Sequence, residues 1–220
     1  MKRLLFLAGI TALLLAVGTA HAGHAHGLAV TPDHVLYDTK TAVEMEVEEL
    51  APNATATVQA KLEHAGKRVN ETDVMADRNH TDLANQTANA YADKMQEVND
   101  LGQEVSDLAQ QQKIDELIAT ATMHHADVLS TVYEKVPEEA KKGISTALNR
   151  SMTGHQRAVA AMERRGQPTD GMNISAQIPA DVRQKTGIGK PGDIPAAGGA
   201  GGNGSRTGGQ GSGQDRAGPR

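Results

Sequence analysis

The feature that most constrains the fold of this chain is a series of apolar residues spaced three or four positions apart. The spacing holds from about Asp33 to Gly166, and it is the repeat of an α-helix that buries one face. Within that span proline occurs only at Pro52 and Pro137, where it ends one helix and opens another. The sequence therefore predicts an all-α fold, an antiparallel up-and-down bundle of about five helices.

Each predicted helix is identified by its apolar stripe. The first helix stops at residues 51–53, and Thr55 is expected to cap the second. The stripes of the third and fourth helices are out of phase across residues 110–112, where a bend or break is expected. The fifth helix begins at Pro137 and ends at Gly166. The stripes begin with Leu36, Val43, Val47 and Leu50 in the first helix, Val58, Leu62, Ala65 and Val69 in the second, and Ala84, Ala88, Tyr91 and Met95 in the third; they continue with Ile114, Ile118, Ala121 and His125 in the fourth, and Ala140, Ile144, Leu148 and Ser151 in the fifth.

The N-terminus has the three parts of a cleavable secretory signal. A basic pair at residues 2–3 precedes an apolar run at residues 4–17, which is too short for a membrane span. Small residues then occupy the −3 and −1 positions of a cleavage site at Ala20 and Ala22. We expect a signal peptide at residues 1–22, a secreted or cell-surface location, and no transmembrane segment in the mature chain.

The remaining chain divides into three parts by composition. Residues 23–32 form a flexible, histidine-containing lead, and residues 33–166 form the helical domain. Residues 167–220 lose the helical period and become rich in Pro and Gly. Such a segment cannot bury enough apolar surface to offset its ordering entropy, so we expect a flexible tail.

Composition excludes several classes of site. The chain has no cysteine, which rules out disulfides and thiolate metal sites. After signal cleavage its aromatic residues are three tyrosines, at positions 37, 91 and 133, so the platforms that usually bind sugars or single-stranded nucleic acid are missing. A formal net charge of −5 also argues against nucleic acid as a partner.

An excess of Asn-x-Ser/Thr triplets is the least random feature of the sequence. Seven of the nine asparagines stand in this frame, where chance predicts about one. On the predicted helices these asparagines face away from the apolar stripes or fall in turns and the tail, so every one should project into solvent. We expect N-glycosylation; the alternative is that Asn and Thr are simply surface and capping residues. The seven acceptors are Asn53, Asn70, Asn79, Asn85, Asn149, Asn173 and Asn203.

The histidines suggest one weak metal site and two core positions. His24 and His26, beside a free terminal amine, could bind copper, nickel or zinc, although such a lead is more often just flexible. His124 and His125 point about 100° apart on a helix and so cannot share a metal ion. His125 and His155 lie on apolar stripes. We expect both to be buried and neutral, with hydroxyl partners at Ser151 and Thr122 respectively.

No catalytic arrangement is evident. Glu44, Glu46, Glu48 and Glu49 form the densest acidic run, but they span several helix faces and are expected to form a solvated surface rather than an acid/base pair. There is no nucleophile elbow, phosphate-binding loop or His-Glu-x-x-His motif. We therefore expect no enzymatic activity.

Two stretches of the sequence carry a family resemblance. The first is TPDHVLYDTKTAVE at residues 31–44, with its Pro-Asp followed by Leu-Tyr and a short helix. The second is HADVLSTVYEKVPEEAK at residues 125–141, followed by SMTGHQRA at residues 151–158. Together they resemble an uncharacterised all-helical domain family of secreted and cell-surface archaeal and bacterial proteins. The resemblance covers about residues 31–165 and implies an extracytoplasmic domain of unknown function. It supplies no catalytic residues, and with the triplets it suggests an archaeal-type surface glycoprotein.

Two functions remain open at this point. The favoured one is a structural or interaction role for a glycosylated helical module, through an unknown protein partner or self-association. The alternative is an extracytoplasmic metal-buffering or metal-sensing protein that uses His24, His26 and His124.

Overall fold

The computed structural model describes residues 30–188, which contain six α-helices, one short 3₁₀ helix and no strand. The predicted all-α fold class is confirmed. The helices are α1 (Tyr37–Glu49), α2 (Ala54–Asp77), α3 (Thr81–Glu104), α4 (Leu108–Lys135), α5 (Glu138–Arg164), the 3₁₀ helix (Ile174–Ala176) and α6 (Ala180–Thr186).

Helices α2 and α3 form the first of two helical hairpins. The Thr72 hydroxyl donates to Thr87 Oγ1 at 2.9 Å, and farther from the turn Lys61 Nζ donates to Glu97 Oε2 at 2.6 Å. The contact partner of a lower-numbered residue in α2 is a higher-numbered residue in α3, so the two helices run antiparallel.

Helices α4 and α5 form the second hairpin in the same way. Ser151 Oγ donates to the Thr122 carbonyl at 3.0 Å. Farther from the turn, Arg165 forms an ion pair with Asp115. Pro137 caps the start of α5 with φ −68°, which suits a proline at a helix N-terminus.

The two hairpins pack side by side, with α2 next to α4 and α3 next to α5. Arg150 of α5 donates to Gln96 of α3 at 2.7 Å, and Lys135 of α4 donates to Asp73 of α2 at 2.8 Å. Helices α3 and α4 are consecutive in the chain but barely touch, so they lie diagonally across the bundle. A connection of only three residues, 105–107, joins the hairpins.

The core between the hairpins is aliphatic, as the composition requires. Its largest fully buried side chains are Tyr91, Met75, Met95, Ile114, Leu129, Ile144, Leu148, Ile178, Val58, Val69, Val98 and Val132. Most of them lie on the stripes of α2 to α5 that the sequence indicates.

Two helix boundaries differ from the prediction. Asn53, not Thr55, caps α2, since its Oδ1 accepts from Ala56 N at 2.9 Å. The break between the third and fourth helices lies at residues 105–107 rather than 110–112. Asp107 starts α4 there by accepting from Gln110 N at 2.8 Å, and a capping carboxylate stabilises a helix start wherever it stands.

The first helix buries a different face from the one predicted, about 100° round the helix from it. Leu36 and Leu50, expected in the core, are 53% and 62% exposed, whereas Glu44 and Glu48 are each only 7% exposed. The reason is that α1 packs against the polar outer side of α2 rather than against the aliphatic core.

The predicted boundaries of the flexible ends are also wrong within the described range. Ile174, Ile178 and Val182 are at most 3% exposed and cover α4, so residues 167–188 are not a flexible tail. These three residues are spaced four positions apart, as on one face of a helix, but the surrounding prolines interrupt the pattern. At the other end Thr31 is 4% exposed and contacts Arg78.

Residues 1–29 and 189–220 lie outside the described residues, and with them the predicted signal peptide, the lead up to residue 29 and the end of the tail. None of the helices within residues 30–188 combines the length and the apolar character that a membrane crossing requires.

Candidate functional site

The most unusual part of the molecule is the interface where α1 meets α2 and α3. It is built almost entirely from charged side chains, which we call the α1 ion network. Its members are Lys40, Glu44 and Glu48 of α1, Lys61, His64, Lys67, Arg68 and Glu71 of α2, and Lys94 and Glu97 of α3.

Arg68 is the centre of one half of the network. Its guanidinium binds Glu44 of α1 through one nitrogen and Glu71 through another, the latter at 2.7 Å. Arg68 and Glu71 are each 5% exposed. The Tyr37 hydroxyl of α1 donates to the same Glu71 oxygen at 2.7 Å. Burial, and to a lesser extent the negative charge of Glu71, raises the pKa of Tyr37. A planar fork of donors suits this bridging of two carboxylates.

Glu48 is the centre of the other half. Lys61 and Lys94 donate to its Oε2 at 2.8 and 3.0 Å, and His64 Nδ1 lies 2.7 Å from its Oε1. Burial opposes ionisation of Glu48, but these three hydrogen bonds outweigh it and lower its pKa to about 2. Burial also lowers the pKa of His64 despite its bond to Glu48. At neutral pH the pair is therefore a carboxylate accepting from a neutral imidazole.

A half-open cleft of about 340 Å³ lies beside Glu48. Lys61 and Lys94 each reach both Glu48 and Glu97 there, at distances between 2.6 and 3.2 Å. Because these two lysines and two glutamates are all paired with opposite charges, the arrangement is suited to holding α1 in place rather than to activating a nucleophile. The cleft is lined by Met45, Glu48, Glu49, Thr57, Lys61, Lys94 and Glu97.

The outward side of α1, unlike this polar interface, exposes apolar residues and unpaired carboxylates. Besides Leu36 and Leu50, Val35 is 90% exposed and Met45 57% exposed. Three further carboxylates are exposed on α1, at Asp38, Glu46 and Glu49, and none of them forms an ion pair within residues 30–188. The helix therefore shows solvent its apolar residues and its unneutralised charges together.

The acidic run was predicted to be a solvated surface, and this is wrong for half of it. Glu44 and Glu48 are buried in the ion network, whereas Glu46 and Glu49 are exposed. The polar residues of α1 that face inward recur at helical spacing, at positions 37, 40, 44 and 48. A polar stripe of this kind, opposite a second one on α2, is the signal from which the network could have been predicted.

His125 is buried as predicted, but its surroundings differ. It is 4% exposed and sits edge-on to the Tyr91 ring, with 5.3 Å between ring centres. Its Nδ1 finds no hydrogen-bond partner among the described residues. Ser151, the expected partner, donates instead to the Thr122 carbonyl. Burial, with a smaller contribution from His124, lowers the His125 pKa to about 4.

His155 is also buried, at 2% exposure, and its predicted neighbour is confirmed. Its Nδ1 lies 3.1 Å from the Thr122 hydroxyl and 3.0 Å from the Ala119 carbonyl. Its Nε2 lies 3.1 Å from the Met172 carbonyl. Both ring nitrogens thus face oxygen atoms, so leucine at this position would leave these buried oxygens without the imidazole as a hydrogen-bond partner.

The predicted glycosylation sites divide into two groups. Five acceptors are exposed: Asn53, Asn70, Asn79, Asn149 and Asn173. Asn85 does not project into solvent as predicted, because its Oδ1 is buried and faces α5. There a Cβ at Gly143 would lie only 1.9 Å from that oxygen. The stripe of α3 alone does not indicate that α5 packs against this side of the helix. Asn203 lies outside the described residues.

The predicted metal ligands His24 and His26 also lie outside the described residues. His124 is exposed, as expected for a residue that turns away from His125. Within residues 30–188 no group of three or more His, Asp or Glu side chains is placed to hold a metal ion.

Comparison with known proteins gives one result. A family model with the description "Domain of unknown function (DUF5667)" matches residues 29–139. The matched segment contains α1 to α4 with the whole ion network, and it ends within the first turn of α5. No curated protein and no solved structure matches the chain.

Proposed function

Because the chain belongs to the family described as "Domain of unknown function (DUF5667)", and this description states no activity, we propose a function from the geometry of α1. The protein is a non-enzymatic helical interaction module that binds a protein partner outside the cytoplasm. The four long helices form a rigid support, and α1 is the element that they display.

The observation that carries this proposal is the orientation of α1. A helix that only completes a core buries its apolar residues and exposes its charges. Here Glu44 and Glu48 are buried and paired with cations of α2 and α3, while Leu36 and Leu50, which lie on the same side of α1, are both more than half exposed. Grouped apolar residues on a surface commonly mark an interaction site. Ion pairs therefore fix α1 to the bundle and leave its apolar residues available to a partner.

The sequence supports a location outside the cytoplasm. The first 22 residues have the parts of a secretory signal, and the chain carries seven glycosylation triplets. Five of the acceptor asparagines are exposed, as attachment of a glycan requires. In this proposal the glycans keep the support soluble and leave α1 uncovered, since no triplet lies within Tyr37–Glu49.

The assembly state in the native cell extract tests the proposal. We expect the full-length protein to elute, after enzymatic removal of glycans, in an assembly heavier than one chain. The double variant Leu36→Gln/Leu50→Gln should elute as a single chain. Leu108→Gln is the matched control, because Leu108 is 58% exposed but lies at the start of α4. Wild type that is found only as a single chain, or equal release by the control, would refute the proposal.

The same preparation distinguishes the metal-buffering alternative. An interaction module with its native N-terminus should contain no stoichiometric copper, nickel or zinc by elemental analysis. Metal that is present and is lost on deletion of residues 23–27 would favour the alternative.

A further inference from the structure

We propose that the exposed side of α1 is the docking surface for one basic amphipathic helix of the partner protein. This inference rests on the proposed function and adds the chemistry of the partner. It is carried by three observations: an apolar line along α1, an unneutralised acidic border beside it, and a fixed backbone underneath.

The apolar line consists of Leu36, Val43, Val47 and Leu50. At about 100° per residue these positions fall within about 60° of one another. The spacings of seven, four and three are those of a coiled-coil seam, and the line is about 21 Å long at the rise of an α-helix. Its two ends are more than half exposed and its two valines are half-buried. A line of this shape fits the apolar face of another helix over about four turns.

The acidic border decides the charge of that helix. Glu46 lies about 70° from the centre of the line, whereas Glu49 and Asp38 lie about 130° and 150° from it, on the side of α1 that faces away from α2. All three carboxylates are exposed and unpaired within residues 30–188, and the last turn of α1 contains no basic residue. The outer side of α1 is therefore negative, whereas its inner carboxylates are already neutralised by α2 and α3.

Charge complementarity then selects among the candidate occupants. A second copy of α1 would place these carboxylates against each other, and an anionic membrane would repel them in the same way. A helix with Lys or Arg beside its apolar face gains both attraction and burial. The partner is therefore basic as well as amphipathic.

The ion network gives this surface the rigidity that docking requires. Glu44 and Glu48 each bind cations of α2, and α3 adds Lys94. Because these contacts lie on the side opposite the acidic border, a docked helix need not disturb them. The surface is thus already in its binding conformation, which reduces the ordering cost of association.

A designed peptide tests the proposal without knowledge of the natural partner. The probe is a helical peptide of about three heptads with Leu at the seam positions and Lys elsewhere. A second peptide has Glu in place of every Lys. Each is titrated into the full-length protein by calorimetry at physiological ionic strength. We expect the Leu/Lys peptide to bind one per chain and the Leu/Glu peptide to show no binding.

Variants locate the binding. Leu36→Gln/Leu50→Gln should weaken the Leu/Lys peptide about tenfold or more, since burial of two leucines is lost. Glu46→Gln/Glu49→Gln should also weaken it and reduce its dependence on salt. Leu108→Gln and Asp82→Asn/Asp93→Asn are matched controls, an exposed leucine and two exposed acids on other helices, and should bind like wild type. Circular dichroism and thermal unfolding check that each variant is folded.

Other outcomes overturn the proposal. Equal weakening by the control variants would show non-specific attraction to an acidic protein. Equal binding of the Leu/Glu peptide would remove the charge argument. Binding to zwitterionic vesicles that is lost in Leu36→Gln/Leu50→Gln, with no peptide binding, would assign the surface to lipid. If neither peptide binds but the native assembly still depends on Leu36 and Leu50, the interaction function stands and only the chemistry of the partner is wrong.

Discussion

The stability of the bundle should fall as the pH is lowered from neutral towards pH 4, and His125 should account for much of that fall. Its side chain is 4% exposed, lies against the Tyr91 ring and has no hydrogen-bond partner for Nδ1 among the described residues. Burial lowers its pKa to about 4. Protonation would place a charge in an aliphatic core that offers it no counter-ion.

The sign and size of the effect follow from the two pKa values. In the unfolded chain the imidazole has its ordinary pKa of about 6.5, so the unfolded state binds the proton first. The contribution of neutral His125 is therefore complete above about pH 6.5 and is lost as the pH falls through the folded value. At about 1.4 kcal/mol per pH unit, the full loss of unfolding free energy is about 3 kcal/mol, and most of it has occurred by about pH 4.5. This is a large part of the stability of a typical domain.

Urea unfolding of wild type and His125→Leu, from about pH 7.5 to about pH 4.5, measures this contribution. The free energy of unfolding of wild type should fall by about 2 to 3 kcal/mol more than that of the variant. Glu48, whose pKa is lowered from 4.5 to about 2, begins to contribute near pH 4.5, but it is present in both proteins and its effect cancels. His64, whose pKa is also lowered by burial, is present in both proteins, and its effect cancels.

His124→Gln is the matched control for this experiment. His124 is the exposed neighbour of His125 on the same helix, so its replacement should leave the pH dependence close to that of wild type. The reasoning fails if His125→Leu keeps the wild-type slope, or if the control flattens it to the same extent.

Four further predictions concern the ion network, the bundle interface, the chain after Gly166 and the glycans. Arg68→Met should destabilise the protein by about 3 kcal/mol in urea unfolding, because it removes the buried cation that bridges Glu44 and Glu71 and leaves them only the more exposed Lys67 and Lys40; an effect below about 1 kcal/mol would mean that α1 is held by other contacts. Gly143→Ala should cost about 1 to 3 kcal/mol by overpacking, and Asn85→Ala in the same chain should recover most of it; a simple sum of the two single effects would contradict the contact. Mild proteolysis should stop near residue 188, and rapid cleavage within 167–188 would show that this segment is not packed. Intact mass spectrometry of the native protein should show a chain that begins at Gly23 and carries glycans, and the mass of an unmodified chain would rule out glycosylation.

The hairpins could be predicted from the sequence because the aliphatic stripes and the burial agree. Val58, Leu62 and Val69 of α2 recur at helical spacing and are buried, as are Ile144 and Leu148 of α5. Where one face of a helix is apolar and packs on a core, the period alone identifies the buried side.

The orientation of α1 could not be predicted in this way, because the helix carries two stripes of the same period. Leu36 and Leu50 favour one face, whereas Glu44 and Glu48 favour another about 100° away. The choice depends on Arg68 and Lys61, which lie on a different helix, so it requires the tertiary structure. Hydrophobicity decides between two faces only when the opposing helix offers an apolar surface.

The same limitation explains the error at Asn85 and the one at residues 167–188. Asn85 faces away from its own stripe, but the diagonal arrangement of the hairpins places α5 against that side. Ile174, Ile178 and Val182 form a line too short to be recognised between prolines. Their burial depends on the groove beside α4 that the finished bundle provides.

The short connection between the hairpins has a consequence for how two molecules could assemble. Val105 and Asp107 already have extended backbone angles, with ψ near 120°. If residues 105–107 straighten fully, the α2–α3 hairpin of one chain can pack on the α4–α5 hairpin of a second chain and recreate every contact between the hairpins. The product is a domain-swapped dimer of two complete bundles, and short hinges of this kind favour such exchange. At high concentration the protein would therefore pass slowly between a closed monomer and an exchanged pair. A proline at position 106, which would stiffen the hinge in its extended form, is the simplest way to shift that balance.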